Sequence, residues 1–180
     1  YQFDKHYGLE INNADNPRFP DTGTQSSISS GLSFPFVYDN RKNIINPQKG
    51  FYSSFTYLYN SPAFGSDNKW QSLFFDVRKY FSIPYARSVL GFRSYYWSIV
   101  SGDVPYFDLP STRTEPSTGM SSRGLQKNRY RSNAMLFFES EYRFNITPNG
   151  FVGGVLFANT TSASEYDSQH FRHWQPAIGT

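Results

Sequence analysis

The side chains best suited to chemistry lie between residues 121 and 145, in a polar segment and in the alternating stretch that follows it. Arginines come first, at Arg123, Arg129 and Arg131, and glutamates follow at Glu139 and Glu141. A guanidinium can hold a carboxylate through parallel hydrogen bonds, so these residue types predict ion pairing. A glycine directly after the first arginine permits a positive φ or a close approach of the backbone.

Other patterns in the chain could suggest catalysis or metal binding. Glu139 and Glu141 are two residues apart and would share one face of a strand, as paired catalytic carboxylates could. Arg143 shares that face, which favours a ladder of charges. His170 and His173 are three apart, so on a strand they point to opposite faces and make a poor metal pair. With no Gly-x-Ser-x-Gly, phosphate loop or His-Glu-x-x-His present, we predict no enzymatic activity, no metal site and no cofactor.

The glutamates belong to an extended stretch, residues 133–145, whose side chains alternate in character. Such a strand suits a membrane barrel, with lipid on one side and a polar lumen on the other, and it also suits a soluble β-sandwich. The apolar set is Leu136, Phe138, Tyr142 and Phe144, and the polar set is Glu139, Glu141, Arg143 and Asn145.

Composition favours the membrane barrel. Phe, Trp and Tyr make up 19% of the 180 residues, yet the mean hydropathy is only −0.58. Aromatic girdles combined with a polar inward half of each strand give this profile. No run approaches the roughly 18 apolar residues of a membrane-spanning helix. Since the chain starts at Tyr1 with neither an initiator Met nor a signal peptide, we expect a fragment of a longer exported protein.

Charge and cysteine content narrow the classes of function. The 17 basic and 14 acidic residues are interspersed, and the net charge is only +3, which argues against nucleic-acid binding. The chain has no cysteine, so thiol catalysis and cysteine-based zinc sites are excluded.

Strands and loops alternate in a regular way. About seven long extended segments are separated by short connections at residues 40–50, 83–87 and 147–150 and by long polar loops at 61–69 and 101–133. Long strands with short turns at one end and long loops at the other are typical of bacterial outer-membrane barrels. We therefore predict one all-β domain over residues 1–180, a partial antiparallel transmembrane β-barrel that does not close within the chain. Predicted strands include residues 3–11, 27–38, 51–59, 70–83, 88–100, 133–145, 151–160 and a last one from about 169.

Two motifs resemble the C-terminal barrel of the bacterial surface-antigen family, the superfamily of BamA, TamA and the two-partner secretion translocators. The resemblance covers nearly the whole chain from Ser27. The first motif is a Tyr-Asp-x-Arg hairpin that continues as Asn-Pro-x-Lys-Gly-aromatic, here with Asp39, Arg41, Asn46, Pro47 and Gly50. The second is an Arg-Gly loop followed by Arg-Tyr-Arg, here with Arg123, Gly124, Leu125, Arg129 and Arg131.

The resemblance implies a larger barrel in which the long loop, residues 101–133, folds back into the lumen. There Arg123 would engage Glu141, and Glu139, Arg143 and Asn159 would be further strand residues that anchor the loop. The chain departs from the family pattern where Ser122 replaces a Val, Leu125 replaces an aromatic residue and Asn159 replaces a common Asp. The last change would exchange a salt bridge for a neutral hydrogen bond.

The resemblance also implies a function in the bacterial outer membrane. Its members help unfolded outer-membrane or secreted polypeptides to insert or cross, so the expected partners are the lipid bilayer, those clients and periplasmic modules of the same chain. Other interpretations remain open at this point: an anchor barrel for an N-terminal lipase or phosphoesterase, a passive pore, or a soluble β-sandwich.

Overall fold

The described residues form one antiparallel sheet of eight strands, each paired with the next in chain order. The structure is a computed structural model, and it describes residues 1–10, 24–83, 87–116, 121–147, 149–165 and 168–180. The strands are β1 Gln2–Glu10, β2 Thr24–Asp39, β3 Gly50–Asn60, β4 Trp70–Ile83, β5 Ser88–Gly102, β6 Ala134–Asn145, β7 Gly153–Ala163 and β8 Trp174–Gly179.

Helical structure in the described part of the chain is limited to short 3-10 turns in the loops, at Pro62–Phe64 and Tyr106–Asp108. None of the described helices is long and apolar enough to cross a membrane.

The all-β antiparallel prediction is confirmed, with eight strands where about seven were expected. β4 has its predicted bounds, whereas β7 begins at Gly153 and β8 only at Trp174. The first shift has a local cause: the amides of Ile146 and Thr147 both donate to the carbonyl of Val152, which holds residues 151 and 152 in the turn. The predicted end of the first strand at Ile11 and most of the predicted turn at 83–87 lie outside the described residues.

Strand register gives the sheet two different faces. The first, which we call the aromatic face, carries large apolar side chains that are 38% to 66% exposed: Phe34, Phe36, Phe55, Phe75, Phe92 and Phe138. The second, which we call the polar face, carries Asp76, Arg78, Arg93, Glu139, Glu141, Arg143 and Asn159, which lie on one side through the pairings of β4 to β7.

A small apolar core lies on the polar face towards the long-loop end of the sheet. Met135 and Phe137 are fully buried there and pack with Phe74 and Tyr95. The rings of Tyr95 and Phe137 stack with their centroids 5.0 Å apart. The long connection between β5 and β6 lies over this core, where the hydroxyl of its Ser121 contacts the hydroxyl of Tyr95 at 3.1 Å.

The turn from β2 to β3 is tied by side chains of the hairpin motif. Arg41 donates two hydrogen bonds to the carboxylate of Asp39, at 2.9 and 2.7 Å. The backbone amides of Asn40 and Phe51 close the turn from either side. Gly50 has a φ of +127°, and a Cβ at this position would lie 2.9 Å from the Cα of Arg41. The turn therefore requires glycine at this point.

We predict that Gly50→Ala destabilises the full-length protein by about 1 to 3 kcal/mol, because it combines an unfavourable φ with a backbone clash. Urea unfolding in detergent micelles would measure the change. Gly65→Ala is the matched control: its φ is +90°, yet nothing lies within 4 Å of the added Cβ. Equal losses in the two variants would show that the contact with Arg41 has no effect.

Candidate functional site

The described parts of the long connection between β5 and β6, residues 103–116 and 121–133, lie across the polar face and are attached to it at several strands. Near its start, Asp108 accepts a hydrogen bond from Ser29 of β2 at 2.6 Å and contacts the ring of His6 of β1 at 3.1 Å. Further along, Glu115 pairs with Arg93 of β5, and Arg123 reaches the carboxylates of β6. We call this connection the cross-sheet loop.

Arg123 contacts both glutamates of β6. Its guanidinium forms a fork on Glu139, with Nη2 2.9 Å from Oε1 and Nε 3.1 Å from Oε2. Nη2 also donates to Glu141. The ring of Phe157, on β7, lies 4.2 Å below the guanidinium carbon. A cation between two carboxylates and an aromatic face is held at one depth along the strand.

Glu141 connects the loop motif to the hairpin motif. One carboxylate oxygen accepts from Arg123 and the other accepts from Nε of Arg143. Arg143 in turn donates through Nη1 to the amide oxygen of Asn46, at 3.1 Å, 97 residues away in the sequence. The two motifs therefore belong to one hydrogen-bonded chain that runs along the polar face from the cross-sheet loop to the turn between β2 and β3.

The backbone around Arg123 is held in a tight turn. Gly124 has a φ of +85°, and a Cβ there would come within 2.9 Å of Ala177 on β8. Asn159 on β7 donates its amide to the carbonyl of Arg123 at 3.0 Å. A carboxylate at position 159 could not make that bond, since it has no proton to donate when ionised. The amide oxygen of Asn159 is buried, and none of the described residues forms a hydrogen bond with it.

A second ionic cluster, which was not predicted from the sequence, holds the base of the cross-sheet loop. Asp76 of β4 is completely buried, and its Oδ2 lies 2.6 Å from Arg78 and 3.0 Å from Arg93. Arg93 extends from β5 to the loop, where it lies 3.2 Å from Glu115. The signal available in the sequence was the pair Asp76 and Arg78, two residues apart on one face of a strand.

Glu115 also folds the loop onto itself. It is 3% exposed, and it accepts from the backbone amide and the hydroxyl of Ser121, each at 2.8 Å. The same hydroxyl lies 3.1 Å from that of Tyr95 on β5. Removing one partner from a buried pair leaves an uncompensated charge, which is strongly destabilising. Arg93 and Glu115 therefore fix where the loop leaves the sheet.

The arginines that follow in the second motif have different environments. Arg131 lies over the rings of Tyr106 and Phe107, at 4.7 and 5.2 Å, so it holds the two ends of the loop together. Burial lowers the pKa of the Arg131 guanidinium, which nevertheless remains a cation at neutral pH. Arg129 is exposed, and among the described residues its guanidinium contacts only its neighbour Tyr130, through the hydroxyl at 3.3 Å and the ring at 5.7 Å. The motif therefore contains one exposed arginine that can serve as a control.

The histidines singled out in the sequence lie outside this site. His173 is exposed and its Nε2 is 3.6 Å from Glu165, in the segment before β8. A hydrogen bond from Ser168, with Arg172 and His173 nearby, holds the pKa of Glu165 below its usual value. Within the described ranges, no group of three or more His, Cys, Asp or Glu side chains is placed to hold a metal ion.

A protein-family model matches nearly the whole chain. The model of the Omp85 superfamily domain matches residues 2–173. No curated protein matched the chain. The match covers both motifs, the cross-sheet loop and all strands up to the start of β8.

We predict that Arg93→Met lowers the free energy of unfolding by about 3 kcal/mol, because Asp76 and Glu115 lose a shared buried partner. The loop base should also become a protease target in the native full-length protein. Urea unfolding and limited proteolysis would measure the two effects. Arg129→Met removes the same charge from an exposed position and should change stability by less than about 0.5 kcal/mol. Similar behaviour of the two variants would contradict a stabilising role of Arg93 at the loop base.

Proposed function

Since the chain belongs to the Omp85 superfamily, we propose that it helps unfolded outer-membrane or secreted polypeptides to insert into or cross the outer membrane. In this proposal the cross-sheet loop stabilises the shape of the barrel while a client passes. The sheet is part of an antiparallel β-barrel of the bacterial outer membrane. Domains of this superfamily act as non-enzymatic insertases or transporters.

The two faces of the sheet support this arrangement in a membrane. The exposed rings of the aromatic face suit contact with lipid, and the charged residues of the polar face suit a lumen that contains water. The cross-sheet loop lies on the polar face, so we place it inside the barrel. Charges at membrane depth are tolerated when they face such an interior and pair with one another, as Arg123, Glu139 and Glu141 do.

The observation that carries the proposal is the bond set of Arg123. The side chain of Arg123 contacts two carboxylates of β6 and the ring of Phe157 on β7. The backbone carbonyl of Arg123 accepts a hydrogen bond from Asn159. A loop fixed in this way holds adjacent strands in register from the inside. Client strands can then add to backbone groups at an opened barrel edge without the rest of the wall losing its shape.

This mechanism needs no bond to be made or broken in the client. Pairing between backbone groups of the barrel edge and the client supplies the affinity for an extended client strand. Unpaired backbone groups are costly in hydrocarbon, so a client strand that enters the membrane is driven to complete its pairing there. The ion pairs have a structural role, since they keep the loop on the wall while the barrel changes shape. Arg123 is therefore a positioning residue in this proposal.

We predict that Arg123→Ala lowers the rate of client insertion about tenfold or more, because hydrogen bonds to charged partners contribute about 1.5 to 3 kcal/mol each. The assay uses the full-length protein in proteoliposomes and follows the appearance of a protease-resistant, heat-modifiable client barrel. A second assay follows the passage of a secreted polypeptide, which distinguishes insertion from transport.

Arg129→Ala is the control for that experiment, since Arg129 belongs to the same motif but lies at the surface. Both variants must show the heat-modifiability of the parent protein. Unchanged activity of folded Arg123→Ala would refute the role of the loop. Ion conductance without any client activity in the parent protein would favour a passive pore, and a catalytic domain in the same full-length chain would favour an anchor.

A further inference from the structure

The aromatic face carries a groove that the proposed function does not use. Two neighbouring rows of outward side chains cross β4 to β7, as the strand register shows. Phe92 and Phe138 stand on either side of small residues, so a shallow channel remains between the rings. Its floor is formed by Ser94, Ser140, Ala158 and Thr160.

Lys79 lies at the β4 side of this groove. Among the described residues of β2 to β8, it is the one charged side chain on the aromatic face. Its ammonium lies 5.5 Å from the ring centre of Phe81 and 5.9 Å from that of Phe51. Both rings lie close to the short-turn end of the sheet, so the lysine extends towards the membrane interface in the way that long cationic side chains do.

The same lysine also lines a second cavity, at the short-turn end. This cavity lies between the turn from β2 to β3 and the last residues of β4, and it is lined by Lys42, Lys49 and Lys79 together with Asn40, Asn43 and Gln48. No described carboxylate lies within ion-pair distance of these lysines. The site therefore offers cationic and amide donors without an internal anion.

The turn itself is suited to a bilayer interface. Residues 40–49 contain no acidic side chain. Ile44 and Ile45 are 72% and 95% exposed, which is unusual for isoleucine in water. Apolar tips next to lysines are typical of segments that lie among lipid headgroups. Short turns of outer-membrane barrels face the periplasm, so the adjoining leaflet is the periplasmic one.

We propose that these two cavities together bind one anionic phospholipid of the periplasmic leaflet. The phosphate and the anionic headgroup lie among Lys42, Lys49 and Lys79, and an acyl chain follows the groove between Phe92 and Phe138. Lys79 lines both cavities and so joins the headgroup to the chain. Charge complementarity selects an anionic lipid, and the membrane position of the groove selects a lipid over a soluble anion.

The test measures lipid binding to the purified full-length protein by native mass spectrometry, with phosphatidylglycerol and phosphatidylcholine of the same acyl chains as probes. The variant K42Q/K49Q/K79Q should bind phosphatidylglycerol about tenfold more weakly or worse, given the usual contribution of basic residues near anionic lipid. The matched control K5Q/K69Q/K127Q removes the same charge away from this end of the sheet and should bind like the parent.

A second pair of variants tests the groove. Ser140→Leu fills its floor and should weaken phosphatidylglycerol binding while the lysines stay in place. Ser98→Leu adds the same side chain to the aromatic face of β5 away from the groove and should not. The proposal is overturned if both lysine variants lose binding equally, if neither does, or if Ser140→Leu has no effect. Equal affinity for phosphatidylcholine or for soluble glycerol phosphate would overturn it as well.

Discussion

Charges removed from water must be matched by opposite charges and hydrogen bonds, and the cross-sheet loop lies where that matching is possible. Asp76 is fully buried and Glu115 nearly so, and Arg93 lies between them. If the loop moved away from the sheet, Glu115 would leave its guanidinium and Tyr95 would lose its cover. The path of the loop and the small core below it therefore depend on each other.

The two ionic clusters have different degrees of burial, which suggests different roles. The cluster around Asp76 is the more buried of the two, with no side chain more than 13% exposed, and it links strands β4 and β5 to the loop base, so its disruption would affect folding. The cluster around Arg123 is wetter: that side chain is one-third exposed, while its carboxylate partners are mostly covered. A wetter ion pair is exchanged more easily, because water compensates part of its loss. In the function that we propose, the loop must respond to a passing client, and a partly hydrated ion pair suits that requirement better than a buried one.

The aromatic face is simpler to explain, because contact with lipid requires only an apolar surface that spans the hydrocarbon part of the membrane. Lys79 is the one charged side chain on that surface among the described residues of β2 to β8, and its place beside a turn with two further lysines suits the anionic lipid that we propose. The turn between β2 and β3 thus contributes to two sites. Asn46 joins the polar chain through Arg143, and Lys42 and Lys49 line the cavity at the short-turn end.

Local sequence pattern by itself determined the strands and their two faces, because an alternation of period two places the apolar and polar sets of β6 on opposite sides whatever the strand pairs with. Length, turn residues and two motifs predicted the antiparallel order, the bounds of β4 and the loop that carries Arg123. Only the tertiary structure decided the contacts: that one nitrogen of Arg123 lies between Glu139 and Glu141, that Arg93 joins Asp76 to Glu115, and that Arg129 remains at the surface. It also placed Met135 and Phe137 in a closed core on the charged face. These contacts join residues far apart in the chain, so they depend on the register of several strands and on the path of a long loop, and neither leaves a periodic signal in the sequence.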